Sequence, residues 1–234
     1  LMRDYNEAMQ FLKSNLNDPS HHTRRLICEG TRPNLPWGLK VSKINDNLAA
    51  NKKILLKLQN DESLYVRKSV ANHLNDISRL DKNLFFQIID EFKKGEHQKW
   101  IIKKASRSLL KKGDPKALQV NGLDPHLKLD VNFEITPKKI QLGECLNLKL
   151  KILSRHNVPK KVLIQYAIHY VKKNNEHSRK VFFIAEKTIT KELHLDKKIP
   201  LKKVTTREHY PGDHYLDIQI NGTLYQRKKF NLSL

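Results

Sequence analysis

The first 120 residues carry apolar side chains at spacings of three and four, a pattern that predicts amphipathic helices. The clearest runs are Leu48–Leu58, Leu64–Leu74, Leu84–Phe92 and Ile101–Leu110. Helix boundaries are indicated by Asp18-Pro19, Asp61 and Asp81 before apolar runs and by Gly113-Asp114-Pro115 after the last one. This part of the chain is therefore expected to be helical.

Adjacent basic residues occur near the start of three of these helices, as Arg24-Arg25, Arg67-Lys68 and Lys103-Lys104. The offsets of 43 and 36 residues between these pairs bracket the period of about 40 residues of HEAT-type helix pairs. Such pairs stack into a solenoid in which equivalent helices share one surface. The spacing predicts a HEAT-like solenoid over residues 1–120, with basic residues along a concave strip that suits a duplex backbone.

After Asn121-Gly122 the apolar residues alternate with polar ones, which predicts β-strands. Seven short segments show this period: Leu127–Ile135, Leu146–Leu153, Val162–Tyr170, Val181–Ile189, Leu193–Leu195, Tyr215–Ile220 and Leu224–Leu232. About seven strands in roughly 100 residues indicate an immunoglobulin-like sandwich. The predicted fold class is a multidomain α and β protein, an α-helical HEAT-like solenoid followed by an all-β immunoglobulin-like sandwich over residues 124–234.

The chain is strongly basic. Its 234 residues contain 45 Lys plus Arg and 24 Asp plus Glu, a formal charge of +21, which favours a polyanionic partner. A solvated lysine-rich surface is the simpler alternative. The sequence holds no apolar stretch of the roughly 18 residues that a membrane helix needs, so no membrane partner is expected. Cys28 and Cys145 are far apart, which argues against a disulfide and favours a cytoplasmic protein.

Three segments differ from the ordinary pattern of an amphipathic helix. They are RRLICEGTRPNLPW at 24–37, YVRKSVANHLNDIS at 65–78 and WIIKKASRSLLKKGDP at 100–115. Together they resemble the DNA alkylation repair family of HEAT-like DNA glycosylases, most closely its AlkC type. The resemblance covers about residues 18–120, and some AlkC-type members continue into a C-terminal immunoglobulin-like domain. It also implies that several helices precede Leu1 in the complete protein.

The resemblance implies a monofunctional DNA glycosylase of base excision repair. Such an enzyme hydrolyses the N-glycosidic bond of cationic alkylated bases, such as N3-methyladenine, in double-stranded DNA. An alkylated base is already a good leaving group, so a fixed carboxylate near the sugar is expected to suffice for catalysis. We expect no cofactor and no metal, a monomer, and a place in the bacterial cytoplasm at the nucleoid.

Residue by residue, Asp76 matches the family's catalytic carboxylate, while Glu29 and Trp37 match positions that line the same site. Arg25 and Arg32 match basic positions that contact the DNA backbone or support the carboxylates. The predicted DNA-binding residues are Arg24, Arg25, Arg32, Arg67, Lys68, Asn72, Lys103, Lys104 and Arg107.

Each candidate has a simpler structural explanation. Asp76 could cap the turn near Ser78, Glu29 could pair with Arg25 four residues earlier, and Trp37 could fill the core. Asn72 and His73 could close a buried polar network, and the remaining cations could form a solvated face. For the whole protein, the alternative function is a non-catalytic scaffold that binds DNA or another protein.

Overall fold

The structure is a computed structural model that describes residues 4–36, 38–39, 41–156, 158–203, 205 and 208–234. The chain divides into two compact units, residues 1–110 and 111–234. The helices are α1 (Tyr5–Ser14), α2 (His21–Gly30), α3 (Ser42–Asp46), α4 (Lys52–Leu58), α5 (Leu64–Leu80), α6 (Lys82–Asp90), α7 (Glu96–Ala105), α8 (Arg107–Lys112) and α9 (Pro115–Val120), with a 3-10 turn at Leu48–Asn51. Within the described part of the chain, no helix is both long and apolar enough to cross a membrane.

The first unit is organised around α5, which has 17 residues. Its apolar face consists of Val66, Val70, Leu74 and Ile77, spaced by three and four residues and without solvent exposure. This helix packs against α2 on one side and α7 on the other, and it also contacts α4 and α6. Because α5 is held from several directions, the polar side chains on its remaining face have a rigid base.

Capping explains some of the helix boundaries. Asp81 ends α5 and begins α6, where its carboxylate accepts a hydrogen bond of 2.9 Å from the Leu84 amide. Asp61, which the sequence suggested as a cap of α5, does not occupy the cap position, which belongs to Ser63. The Asp61 carboxylate instead accepts the Ser63 amide at 2.9 Å and pairs with Arg24 at 2.6 Å.

The second unit contains two sheets. Its strands are β1 (Leu129–Thr136), β2 (Lys139–Gln141), β3 (Cys145–Ser154), β4 (Lys160–Val171), β5 (His177–Ile189), β6 (Glu192–Pro200), β7 (Gly212–Ile220) and β8 (Thr223–Ser233). One sheet has the order β1-β3-β6, and the other has the order β2-β8-β7-β4-β5. All strand pairs are antiparallel except β2 with β8, which are parallel. Alternate side chains of both sheets form one apolar core, with Phe133 and Phe230 among its largest members.

The predicted fold class, a HEAT-like solenoid followed by an all-β immunoglobulin-like sandwich, is wrong as stated. The helices of the described residues range from 5 to 17 residues, and they do not repeat as equal pairs. Three elements, α3, the 3-10 turn and α4, separate α2 from α5, whereas α6 alone separates α5 from α7. The second unit begins before the predicted sandwich and includes α9, and the larger of its two sheets is mixed rather than wholly antiparallel. The order of a helical part before a strand-rich part is observed.

The turn between β7 and β8 fastens the start of the second unit to its larger sheet. The buried Asn221 side chain accepts the Leu163 amide at 2.8 Å and donates to the Asp124 and Lys161 carbonyls at 3.0 and 3.1 Å. Next to it, Gly222 has φ +81° and lies against Gly113, so that a Cβ added to Gly222 would be 2.8 Å from the Gly113 Cα. Glycine is therefore required here both by conformation and by backbone contact.

We predict that Gly222→Ala destabilises the protein more than Gly122→Ala. Both glycines have positive φ, but an added Cβ at Gly122 meets no atom within 4 Å. Each alanine costs about 1 kcal/mol for the left-handed backbone, and Gly222→Ala adds about 1–3 kcal/mol for the clash with Gly113. Urea unfolding followed by far-ultraviolet circular dichroism measures both values. Equal losses in the two variants would show that the Gly113–Gly222 contact is not tight.

Candidate active site

One face of α5 carries a polar stripe, which we define as Tyr65, Ser69, Asn72, Asp76 and Arg79. These residues are spaced by four, three, four and three positions, so they lie one above another on the helix. Ser69 and Asp76 are buried at 2% and 3% exposure, whereas the two ends of the stripe are exposed. The buried polar centre of this stripe is where α2 and the segment after it approach α5.

Arg32 joins two carboxylates that come from different helices. Its Nε donates to Asp76 Oδ2 at 2.8 Å, and its Nη1 donates to Glu29 Oε1 at 2.5 Å. The second oxygen of Glu29 accepts a hydrogen bond of 2.7 Å from the Ser69 hydroxyl. Glu29, Arg32 and Asp76 thus form one connected centre, and the structure brings together the two carboxylates that the sequence singled out.

The segment that carries Arg32 is fixed by its own hydrogen bonds. Helix α2 ends at Gly30, and the Thr31 hydroxyl donates back to the Ile27 carbonyl at 2.8 Å. The Thr31 carbonyl in turn accepts the Asn51 side-chain amide at 3.0 Å. Thr31 and Asn51 are both fully buried. The position of Arg32 therefore depends on packing rather than on the carboxylates alone.

The two carboxylates differ in their electrostatics. For Glu29, burial opposes ionisation, but the Ser69 hydrogen bond and the Arg32 charge outweigh it and lower the pKa of the carboxyl. For Asp76, burial is the dominant cause and raises the pKa above its usual range, although Arg32 acts in the opposite direction. Burial also opposes the charge of Arg32, but its two carboxylate partners raise the pKa of the guanidinium. The centre thus has one firmly ionised acid and one acid whose ionisation is costly.

Further arginines lie around this centre. The charges of Arg79 and Arg107 both act on Asp76. Arg107 is exposed, and its Nη2 donates to the Asn72 side chain at 3.1 Å. Arg79 is also exposed, and its Nε donates to the Ser108 hydroxyl at 3.0 Å. These cations place positive charge beside the buried Asp76 carboxylate.

Among the other predicted DNA-binding residues, Arg24 and Arg67 form hydrogen bonds within the helical unit. Arg24 is 9% exposed and bonds to the Asp61 carboxylate and to the Asp18 and Pro19 carbonyls, so its guanidinium ties the starts of two helices together. Arg67 is half-buried and donates to the Asp61 and Glu62 carbonyls at 2.6 and 2.8 Å.

Lys68, Lys103 and Lys104 are exposed, and Arg25 is half-buried. Trp37, predicted to line the site, lies outside the described residues.

Three residues of the stripe, Tyr65, Ser69 and Arg79, were not selected from the sequence. Ser69 contacts Glu29, and Arg79 adds positive charge near Asp76. Both could have been found from helical spacing, because Ser69 precedes Asp76 by seven residues and Arg79 follows it by three. Serine is, however, common in helices, so its position in the sequence gives no distinctive pattern.

Other kinds of chemistry have little support here. The buried Cys28 has its pKa raised to about 12, so its thiol is not a nucleophile near neutral pH. Burial lowers the pKa of His73 to about 4, and its Nδ1 lies 3.0 Å from the Cys28 carbonyl oxygen, which fits a neutral ring donating to that oxygen. Among the described residues, no group of three His, Cys, Asp or Glu side chains could hold a metal ion.

We predict that Glu29→Gln and Asp76→Asn affect stability in opposite ways. The folded-state pKa of Glu29 is lowered, so its ionisation stabilises the fold above the ordinary glutamate pKa of about 4.3, and this stability is lost as the pH falls. The folded-state pKa of Asp76 is raised, so its ionisation costs stability above the ordinary aspartate pKa of about 3.9.

At pH 7, Glu29→Gln should therefore lose about 1–3 kcal/mol, whereas Asp76→Asn should unfold at the wild-type temperature or above it. Both differences should shrink as the pH approaches about 3–4. Differential scanning calorimetry between these pH values measures them, with the exposed Asp46→Asn as control. An Asp76→Asn variant that is less stable than Glu29→Gln at pH 7 would contradict the assignment.

Comparisons with known proteins agree with these features. Residues 130–234 match the family model described as the C-terminal Ig-like domain of the uncharacterised protein YhaZ. The uncharacterized protein YhaZ of Bacillus subtilis (strain 168) is 41% identical to this chain over 217 residues, which cover 91% of this chain and 60% of YhaZ. The immunoglobulin-like part of the sequence prediction is thus supported by a family match.

A solved structure matches the chain over its full length. The Pseudomonas fluorescens alkylpurine DNA glycosylase AlkC, bound to DNA containing an abasic site analog, superposes with a TM-score of 0.96 at 33% identity. The match covers 100% of this chain and 66% of that one, so the chain spans about two thirds of AlkC and less of YhaZ. The predicted resemblance to the AlkC type is confirmed as similarity of sequence and fold, and the chain is similar along its length to an alkylpurine DNA glycosylase.

Proposed function

We propose that this chain carries the catalytic centre of a monofunctional DNA glycosylase that hydrolyses the N-glycosidic bond of cationic alkylated bases, such as N3-methyladenine, in double-stranded DNA. The observation that carries this proposal is the Glu29–Arg32–Asp76 centre, found in a chain with the fold of an alkylpurine DNA glycosylase. Each property of the centre fits one requirement of this reaction.

The reaction needs little acid catalysis from the protein, because the positive charge of the alkylated base already makes it a good leaving group. In an N3-alkylated adenine, the bond between N9 and the sugar C1′ breaks with both electrons moving to the base, which leaves neutral. Positive charge develops on the sugar, as in glycoside hydrolysis. No strong general acid is needed, and the protein has to stabilise a cation and supply water.

Glu29 meets the need for a fixed negative charge. It is bonded by Arg32 and by Ser69, so its carboxylate stays ionised and keeps one orientation. A preorganised charge of this kind stabilises a developing sugar cation without rearrangement during the reaction.

Asp76 is suited to accept the proton. The water oxygen bonds to C1′ and releases a proton, for which a carboxylate of raised pKa is a better acceptor than one of lowered pKa. The products are the neutral base, an abasic sugar and a protonated Asp76, which then returns its proton to solvent. The two acids thus have different roles, with Glu29 as the fixed negative charge and Asp76 as the general base.

The exposed cations provide the surface for the duplex. Arg79 and Arg107 lie beside Asp76, and Lys104 is near Arg107, whose Nη1 donates to the Lys104 carbonyl. Such side chains bind phosphates and fix the register of a duplex without reading its sequence. Arg32 supports the carboxylates instead, because both sides of its guanidinium are bonded to them. Trp37 is kept as a candidate residue of this site only on the resemblance of the sequence, since it lies outside the described residues.

We predict that Asp76→Asn abolishes base release while DNA binding is retained. The variant keeps the shape of the side chain but removes both the charge and the proton acceptor, so we expect a loss of at least about 100-fold. The assay follows release of methylated bases from methylated duplex DNA by mass spectrometry. The control Asp46→Asn, on the exposed surface of α3, should retain wild-type activity.

A protein that binds duplex DNA and releases no alkylated base would contradict the glycosylase and favour a scaffold. An active Asp76→Asn variant would leave a glycosylase but remove Asp76 from the chemistry. The wild-type rate should also fall at acidic pH, because Asp76 becomes protonated below its raised pKa.

We also predict that Ser69→Ala slows base release by about tenfold, since Glu29 loses one of the hydrogen bonds that fix it. The matched control is Ser78→Ala, which removes a second buried serine of α5, one whose hydroxyl donates to the Asn75 carbonyl at 2.8 Å. Single-turnover rates for both variants make the comparison. If Ser78→Ala slowed the reaction as much as Ser69→Ala, the effect would come from α5 in general and not from Glu29.

A further inference from the structure

The buried His73 lies between the two α5 residues that bond to the carboxylate centre. It follows Ser69 by four residues and precedes Asp76 by three, so the three side chains lie on neighbouring turns of one side of the helix. All three are buried, and His73 has no solvent exposure. Its ring contacts the last turn of α2, the turn that contains Glu29.

The His73 ring caps the end of α2 from a different helix. The last four carbonyls of an α-helix have no amide partner within the helix. The Cys28 carbonyl is one of these, and His73 Nδ1 lies 3.0 Å from its oxygen. The Thr31 hydroxyl is farther from this oxygen, at 3.3 Å, and donates to the Ile27 carbonyl at 2.8 Å. The imidazole is thus the closer of the two side-chain partners of the Cys28 carbonyl.

The surroundings of the ring determine which nitrogen carries its proton. Burial lowers the pKa of His73 to about 4, so the ring is neutral near pH 7 and has one donor and one acceptor nitrogen. A proton on Nδ1 gives the Cys28 carbonyl its donor. A proton on Nε2 would bury an N–H group that has no hydrogen-bond partner among the described residues. His73 is therefore a fixed donor to the end of α2.

Two residues one turn apart on α5 thus hold two consecutive residues of α2. His73 bonds the main chain of Cys28, and Ser69 bonds the side chain of Glu29 at 2.7 Å. The Ser69 hydrogen bond fixes one carboxylate oxygen, but it does not fix the backbone from which the Glu29 side chain extends. The His73 hydrogen bond holds that backbone at the residue directly before Glu29 and four residues before Arg32.

We propose that His73 is a positioning residue of the carboxylate centre, because its hydrogen bond to the Cys28 carbonyl fixes the positions of Glu29 and Arg32 relative to Asp76. This inference rests on the proposed function, since it takes the centre as the place of the chemistry. A displacement of about 1 Å at a reacting group costs about 100-fold in rate. A ring that touches no substrate therefore controls the rate through Glu29.

The test compares three substitutions of His73. His73→Asn keeps an N–H donor at the δ position, His73→Gln moves the donor to the ε position, and His73→Leu replaces it with apolar atoms. The asparagine leaves a cavity and a buried amide oxygen, so His73→Asn should be less stable than His73→Leu. The control Ile88→Val weakens the buried core at α6, which carries no residue of the centre. Unfolding temperatures are measured for every variant.

Single-turnover base release should fall about 10–100-fold in His73→Leu and His73→Gln, and His73→Asn should recover most of this loss although it is less stable. Binding of a duplex with an abasic-site analogue should not change, because His73 is fully buried. In His73→Leu, the Glu29 carboxyl should titrate at a higher pH than in wild type, since a displaced carboxylate is held less well by Ser69 and Arg32. Ile88→Val should change neither the rate nor this titration.

A His73→Leu variant with the wild-type rate and the wild-type Glu29 titration would overturn this proposal. Equal rates in the three His73 variants, or rates that follow their unfolding temperatures, would also overturn it. If His73→Leu did not fold, the comparison of His73→Asn with His73→Gln would decide in the same way. If wild type released no base, the glycosylase would fall, and the Glu29 titration would decide whether His73 positions the centre.

Discussion

The candidate site depends on the pairing of Arg32 with two carboxylates. Glu29 is on α2 and Asp76 is on α5, and both carboxylates are bonded to the same guanidinium, so without that cation the two negative charges would repel each other. Arg32 reduces that repulsion, but it leaves the three side chains with a net negative charge. Burial makes this arrangement costly, and the hydrogen bonds of Ser69, Thr31 and Asn51 hold it in place. The packing of α2 against α5 therefore holds the three side chains of this centre together.

The two carboxylates of the centre contribute unequally to its free-energy cost. Glu29 gains from its surroundings, whereas Asp76 is ionised against the effect of burial. A side chain that lowers stability in its working form is common at functional sites, because activity and stability place different demands on the same position. The exposed cations around Asp76 then compensate for the buried negative charge and provide a surface on which a polyanion can lie.

Much of the fold follows from local patterns in the sequence, but its architecture does not. Apolar spacing predicts the helices, and period-two alternation predicts segments that correspond to β1 and β3–β8. The segment of β2 contains a single apolar residue, Ile140, so it shows no alternation. The solenoid prediction is wrong because the apolar period defines which face of a helix is buried and does not define how many helices separate two equivalent ones. The basic pairs do not occupy equivalent positions either, since Arg24 is buried and bonded within the helical unit whereas Lys103 is on its surface.

The candidate site, like the fold, is predicted only in part by the sequence. The resemblance of the sequence motifs selects Glu29 and Asp76, and the structure places them in one centre. The role of Arg32 was left open between DNA and the carboxylates, because sequence spacing cannot show that its guanidinium reaches across to a residue 44 positions away. The sequence does not single out Ser69 and Arg79 for the same reason, since their importance comes from the carboxylates of Glu29 and Asp76 that lie near them in the fold.

The most direct test of this account is a carboxyl titration of Glu29 and Asp76 by carbon-13 NMR. The account predicts that Asp76 loses its proton at a higher pH than Glu29, the reverse of the ordinary order of about 3.9 for aspartate and about 4.3 for glutamate. Replacing Arg32 with Gln should raise the pKa of both groups, because each loses the cation that favours its ionised form. Ordinary pKa values for both carboxyls, or values that do not move in the Arg32→Gln variant, would contradict a catalytic centre organised by Arg32.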